Sequence, residues 1–126
     1  MDENNFSFED LEVWQDAISF SIKCLSLVEK IETNRKHYRL IEQFESAATS
    51  PALNIAEGKG RFSKKEFVQF LYIARGSLFE TVSLLEIFRR LNWMENIEFE
   101  KIKQDAKRLG KRLSTLINSI KATSKL

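Results

Sequence analysis

At 126 residues the chain can enclose one hydrophobic core but not two. One proline and four glycines are too few turn formers for an all-β fold, and 43% hydrophobic with 30% charged residues is an ordinary globular balance. A formal net charge of +2 does not by itself imply a nucleic-acid partner, so the distribution of charge matters more than its sum.

The opening MDENNFSFED is acidic and lacks the basic start and apolar run of a signal peptide, so a cytoplasmic location is expected. No stretch approaches the roughly 20 apolar residues of a membrane helix, and no membrane partner is expected. The first helical pattern spans about residues 8–31. Leu11, Trp14, Ile18, Ile22, Leu25 and Val28 recur at spacings of three and four and predict its core-facing stripe. Ser7 or Asp10 is the expected N-cap, because a short oxygen side chain accepts from free first-turn amides. Cys24 is the only cysteine, which rules out an intrachain disulfide, and its apolar neighbours predict a buried, inert thiol. The polar run from Glu32 to Lys36 reads as a turn.

The second pattern covers about 38–57, with Leu40, Ile41, Phe44, Ala47, Ala48 and Ile55 on its apolar side. Pro51 inside it predicts a kink near Ala47–Pro51, or a break and restart. Gly58 is the expected left-handed C-cap. The third pattern, about 63–91, opens with a capping box, Ser63 and Glu66. Phe67, Phe70, Leu71, Ala74, Leu78, Val82, Leu85, Phe88 and Leu91 follow at helical spacing, and Asn92 is the expected stop. The fourth, about 96–122, carries Ile102, Ala106, Leu109, Leu113, Leu116 and Ile120 in heptad-like order, which suits shallow crossing angles.

Four amphipathic helices with short connections make sequential neighbours antiparallel. The predicted fold is all-α: a single-domain, up-and-down antiparallel four-helix bundle over residues 1–126. Small residues recur on the second helix (Ala47, Ala48, Ala52, Ala56) and the third (Ala74, Gly76, Ser77). They predict either tight packing within the chain or a helix contact with another subunit.

Reactive clusters are not evident. His37, the only histidine, follows Arg35 and Lys36, a poor setting for a general base, and one histidine with one cysteine cannot make a zinc site. None of Glu42, Glu45, Glu57, Glu66, Glu80 or Glu86 begins the Glu-x-x-His motif of a di-iron bundle. Gly58-Lys59-Gly60 lacks the spacing and preceding strand of a phosphate loop. No enzymatic activity, metal or cofactor is expected.

The charges are segregated. Asp2, Glu3, Glu9, Asp10, Glu12 and Asp16 precede the first base, whereas Lys107, Arg108, Lys111, Arg112, Lys121 and Lys125 close the chain without an acid. The turn before the third helix adds Lys59, Arg61, Lys64 and Lys65. An up-and-down bundle places these acidic and basic strips at one end. They predict pairing within the chain and complementation of helix dipoles, or contact with phosphates, or contact between subunits. Phe62 and Phe67 flank the basic loop and read equally well as core.

Asn54-Ile55-Ala56-Glu57-Gly58, then Gly60-Arg61, Ser63, Glu66, Phe70-Leu71, Ile73-Ala74, Gly76-Ser77-Leu78 and Glu80 resemble the central signature of the four-helix-bundle proteins encoded within 23S ribosomal-RNA intervening sequences. Phe8, Leu11, Val13-Trp14-Gln15 and Ala17 resemble that family's first helix, and Leu91-Asn92-Trp93-Met94 its third turn. The resemblance implies an up-and-down bundle assembled as a ring, often a pentamer, with no defined molecular function. A related accessory protein of diversity-generating retroelements is a basic pentamer that associates with a reverse transcriptase and nucleic acid. The resemblance therefore implies self-association, favouring a homopentamer, with RNA, DNA or a protein as further partner. On this reading Lys59, Arg61, Lys64, Lys65, Lys107, Arg108, Lys111 and Arg112 are candidate nucleic-acid contacts. Asn54, Glu57, Gly58, Gly60, Arg61, Gly76 and Ser77 are the signature residues expected near a subunit contact, with Glu57 and Arg61 also expected to pair around the loop. The chain departs from the pattern at Phe44-Glu45-Ser46-Ala47-Ala48, where the family often carries Leu-Arg-Arg-Ala-Ala, and Pro51 is shifted by one. If those arginines line a nucleic-acid surface, this chain binds weakly or not at all.

Overall fold

The computed structural model describes residues 3–32 and 37–124. A short 3₁₀ helix, Ser7–Asp10, precedes four α-helices: α1 (Glu12–Lys30), α2 (Tyr38–Lys59), α3 (Lys64–Arg90) and α4 (Asn96–Ser124). Each helix packs on its sequence neighbours and α4 closes on α1, while α1 and α3, like α2 and α4, stand diagonally without close backbone approach among the described residues. This is the predicted up-and-down bundle. Residues 33–36 of the expected first turn lie outside the described residues.

Buried apolar side chains from all four helices make up the core, and Phe44, Leu71, Leu85, Phe88 and Leu113 are completely buried. At about 1.5–3 kcal/mol for each large side chain taken from water, this core is the main driving term. On α1, however, the buried stripe is Val13, Ala17, Phe20, Cys24 and Leu27, rotated from the expected one. Leu11, Trp14, Ile18 and Val28 only border the core, and Ile22 is 59% exposed. The α1 sequence is apolar on both flanks of the true stripe, so periodicity alone selected a neighbouring phase. On α4, Ile117 joins the core and Leu116 and Ile120 border it; Leu91, expected on the α3 stripe, is instead the exposed C-cap of that helix.

The N-terminal cap also differs from expectation. Leu11 is the N-cap of α1 and makes no side-chain cap. Ser7 and Asp10 are instead taken into the 3₁₀ turn, whose Glu9 carboxylate accepts from the Phe6 amide at 2.7 Å. α2 runs unbroken through Pro51, which is buried. Beside it the Ser21 hydroxyl of α1 lies 2.7 Å from the Ala48 carbonyl, and Ser50, Asn54 and Ser77 form a local polar cluster, with Ser50 Oγ and Ser77 Oγ 2.7 Å apart.

Gly58 is not a left-handed cap: among the described residues no glycine has a positive φ. It lies buried inside α2, and a Cβ built there would fall 2.6 Å from the Cβ of Phe70 and 3.0 Å from Phe67 Cδ1. Its role is close approach of α2 to α3, and Gly60 is the C-cap. Ser63 caps α3 as expected, its Oγ accepting from the Glu66 amide at 3.1 Å. At the other end Asn92 takes φ 62°, Asn92 N–H donates to the Arg89 carbonyl at 3.0 Å and Trp93 N–H to the Phe88 carbonyl at 2.9 Å. Both bonds are those of a Schellman stop, and the accompanying apolar contact is Trp93 against Phe88, centroids 5.2 Å apart.

Candidate functional site

The basic residues of the turn before α3 and those of α4 do not form one surface. Gly110 of α4 packs opposite Leu78, the built Cβ 3.4 Å from Leu78 Cδ2, so Lys107–Arg112 lie level with the middle of α3. Lys64 and Lys65 open that helix, about 20 Å away along its axis at 1.5 Å per residue. The expected single end of adjacent strips therefore divides into two sites, because the α4 set stops about three turns short of the end of α4 at Ser124.

On α4, Arg112 reaches α1, whereas Arg108 is held within its own helix. Arg112 Nη1 stands 2.6 Å from Asp16 and 3.5 Å from Glu12, and Arg108 pairs with Asp105. Asp105 also takes Lys23 at 2.7 Å, and Lys30 reaches Glu98 at 3.4 Å. The pairs of Arg112, Lys23 and Lys30 cross the α1–α4 seam, and each exposed one contributes on the order of 0–1 kcal/mol. Pairing within the chain thus accounts for Arg108 and Arg112. Lys107 and Lys111 are exposed and have no carboxylate within ion-pair distance among the described residues.

At the turn, Arg61 pairs with Glu57 at 2.9 Å and lies over the Phe70 ring at 4.6 Å, and Lys59 lies over Phe67 at 5.8 Å. Lys64 and Lys65 are exposed without an ionic partner among the described residues. Phe67 borders the core, but Phe62 is wholly exposed between Arg61 and Ser63. Sequence reasoning left Phe62 open between core and loop; its place between two turn residues, out of phase with the α3 stripe, was the available signal.

The small residues divide as well. Ala47, Ala48, Ala52 and Ala74 are buried and serve packing within the chain. Asn54 is half-buried and bonds Ser50 at 2.8 Å, and Ser77 is half-buried in the same cluster. Gly76 is different: it is exposed, and a Cβ there would meet nothing within 4 Å. Around it on the outer face of α3 lie Tyr72, Ile73, Phe79 and Ile87, all exposed. In the sequence this apolar stripe is masked by the stronger buried period on the same helix.

Cys24 and the Glu86–Arg89 pair titrate away from their ordinary values. Burial, with a smaller contribution from the Asp105 charge, pushes the Cys24 thiol up to about 12. The Arg89 guanidinium hydrogen-bonded to Glu86 at 2.6 Å holds that carboxyl below the usual range. His37 is exposed and sits against Trp93, centroids 4.8 Å apart. Among the described residues no helix is long and apolar enough to cross a membrane.

The fold is similar to that of a crystal structure from Bacteroides thetaiotaomicron, a protein of unknown function from the S23 ribosomal protein family. The two chains share 25% identity over 83% of this chain and 97% of that one, with a TM-score of 0.77. No curated protein matches. The model of the 23S rRNA-intervening sequence protein family matches residues 9–115, and the chain belongs to that family.

Proposed function

We propose that this protein is a non-catalytic, homo-oligomeric helical scaffold that binds a macromolecular partner, its subunits meeting through the outer face of α3. The observation that carries the reading is the exposed stripe of Tyr72, Ile73, Phe79 and Ile87 around Gly76. Contiguous apolar surface on a soluble domain marks an interaction site. A glycine in mid-helix costs about 1 kcal/mol relative to alanine, and no contact within the chain requires one at position 76. Close approach by a neighbouring helix would. The family resemblance favours a ring of five. Light scattering at micromolar concentration tests this: a multiple of the 14.7 kDa chain mass is expected, and a species of 14.7 kDa would refute it.

A second reading, an accessory protein that binds RNA or DNA, is favoured by Phe62. A fully exposed aromatic ring beside Lys59, Arg61, Lys64 and Lys65 offers a stacking face among cations. Titration with single-stranded RNA at low and physiological salt tests it. Binding that falls steeply with salt is expected, and no binding at low salt rejects it.

A further inference from the structure

We propose that the shelf between the start of α1 and the last third of α4 binds a small amphipathic monocarboxylate, an organic acid with an apolar body of medium length.

The shelf exists because the two antiparallel helices do not end level. The side chains of Glu12 and Arg112 approach to 3.5 Å, so the first turn of α1 stands beside Arg112. From there α4 runs on to Ser124, about 18 Å further at 1.5 Å per residue. The chain before α1 does not cover that length. The 3₁₀ turn Ser7–Asp10 packs on α1 and α2 and makes no close backbone approach to α4 among the described residues. Leu11, Val13 and Leu116 are left as the apolar floor of a cavity of about 570 Å³. That volume suits a small molecule, whose sites span roughly 300–1,000 Å³ and combine an apolar lining with a few placed polar groups.

The polar groups stand in a row. Lys111, Thr115 and Ser119 follow at intervals of four along α4 and share one wall of the cavity. Lys111 has no carboxylate partner among the described residues. The hydroxyls of Thr49, Thr81, Ser83 and Thr123 return to the carbonyl four residues back, whereas those of Thr115 and Ser119 make no such bond among the described residues. Both O–H groups are therefore available as donors beside the ammonium. An ammonium only donates and a carboxylate only accepts, so the row matches an anionic head whose apolar body lies across Leu11, Val13 and Leu116.

The charge count sets the valence of that head. Arg112 stands 2.6 Å from Asp16, and Arg108 is paired with Asp105, so both arginines are already committed. Glu12 is the one acid among the described residues lining the cavity, and its side chain is 88% exposed on the facing wall, where water screens it. One uncommitted ammonium suits a single carboxylate rather than a phosphate dianion or a polyanion.

Calorimetric titration with sodium decanoate below its micellar concentration tests this. Saturable uptake of one decanoate per chain is expected. Decyltrimethylammonium, the same chain under a positive head, should bind at least about tenfold more weakly, and butyrate, the same head on a short chain, should give no signal. Lys111→Gln should weaken decanoate about tenfold and Glu12→Gln should tighten it, while Lys101→Gln, elsewhere on α4, should leave it unchanged. All three positions are exposed, so the variants should keep the helical circular dichroism and melting of the parent. No uptake of decanoate, equal uptake of the two decyl amphiphiles, or uptake indifferent to Lys111 and Glu12 would overturn the proposal. So would binding to phosphatidylglycerol vesicles without binding of free decanoate, which would make the shelf a lipid-surface contact. A fall in scattering mass on adding decanoate would show that a second copy covers the shelf and would overturn it too. The self-association proposed above is decided separately, by the mass of the free protein.

Discussion

The Cβ that a side chain would add at Gly58 falls 2.6 Å from the Cβ of Phe70, where one atom or the other must move. Phe70 Cβ is fixed to the α3 backbone, so no rotamer relieves the clash and the helices must part. Gly58→Ala is expected to destabilise the fold by about 1–3 kcal/mol despite alanine's better helix propensity. Gly110→Ala, whose nearest neighbour is Leu78 Cδ2 at a van der Waals distance of 3.4 Å, is expected to gain up to about 1 kcal/mol. Urea midpoints of the two variants should move in opposite directions.

Asn92 holds the left-handed turn that ends α3, with φ 62°. Asn92→Gly should leave the melting temperature unchanged or raise it. Asn92→Val, with a β-branched side chain in that region, should cost about 1–2 kcal/mol. Equal melting temperatures for the two would mean that the Schellman stop contributes nothing to stability.

Cys24 should be inert in the native state, because its completely buried thiol has a pKa pushed up from 9.0 to about 12. A thiol reagent at pH 8 should label it only at the rate of unfolding, and urea should release it. The raised pKa also carries a sign. Below about pH 9 the thiol is protonated in both states and does not affect the pH dependence. Between pH 9 and 12 the unfolded chain gives up the proton that the folded one keeps, so stability falls as pH rises. Cys24→Ala should flatten that part of the stability–pH curve.

For nucleic acid, the two basic sets should separate. Lys64→Glu with Lys65→Glu is expected to weaken RNA binding and to lower the salt slope by about one per lysine removed. Phe62→Ala should weaken single-strand binding by about fivefold to about 150-fold, from the loss of about 1–3 kcal/mol of stacking. Arg112→Glu, which places an acid against Asp16 and Glu12, should lower stability by up to about 1 kcal/mol and leave RNA binding largely unchanged. RNA binding that responds to Arg112 and ignores Lys64 and Lys65 would move the site to α4.

What the sequence by itself determined were the elements and their order. Apolar residues repeat with the helical period on α3 and α4, and Ser63, Asn92 and the scarcity of glycine and proline punctuate them, so four helices with short connections follow from local physics. The buried Cys24 was legible for the same reason, since apolar neighbours are a local fact, while the Glu57–Arg61 pair was an expectation carried by the family resemblance. Only the tertiary structure decided faces. Leu11 and Ile22 are apolar but border or leave the core, while Ala17 and Cys24 face it, because burial depends on where the other three helices stand. Gly58 could have been a cap or a contact, and the nearness of Phe70 in space made it a contact. The exposure of Phe62 and the empty surroundings of Gly76 are likewise properties of what lies opposite each residue. A one-dimensional pattern specifies the period of a helix, but its partners in three dimensions choose the phase.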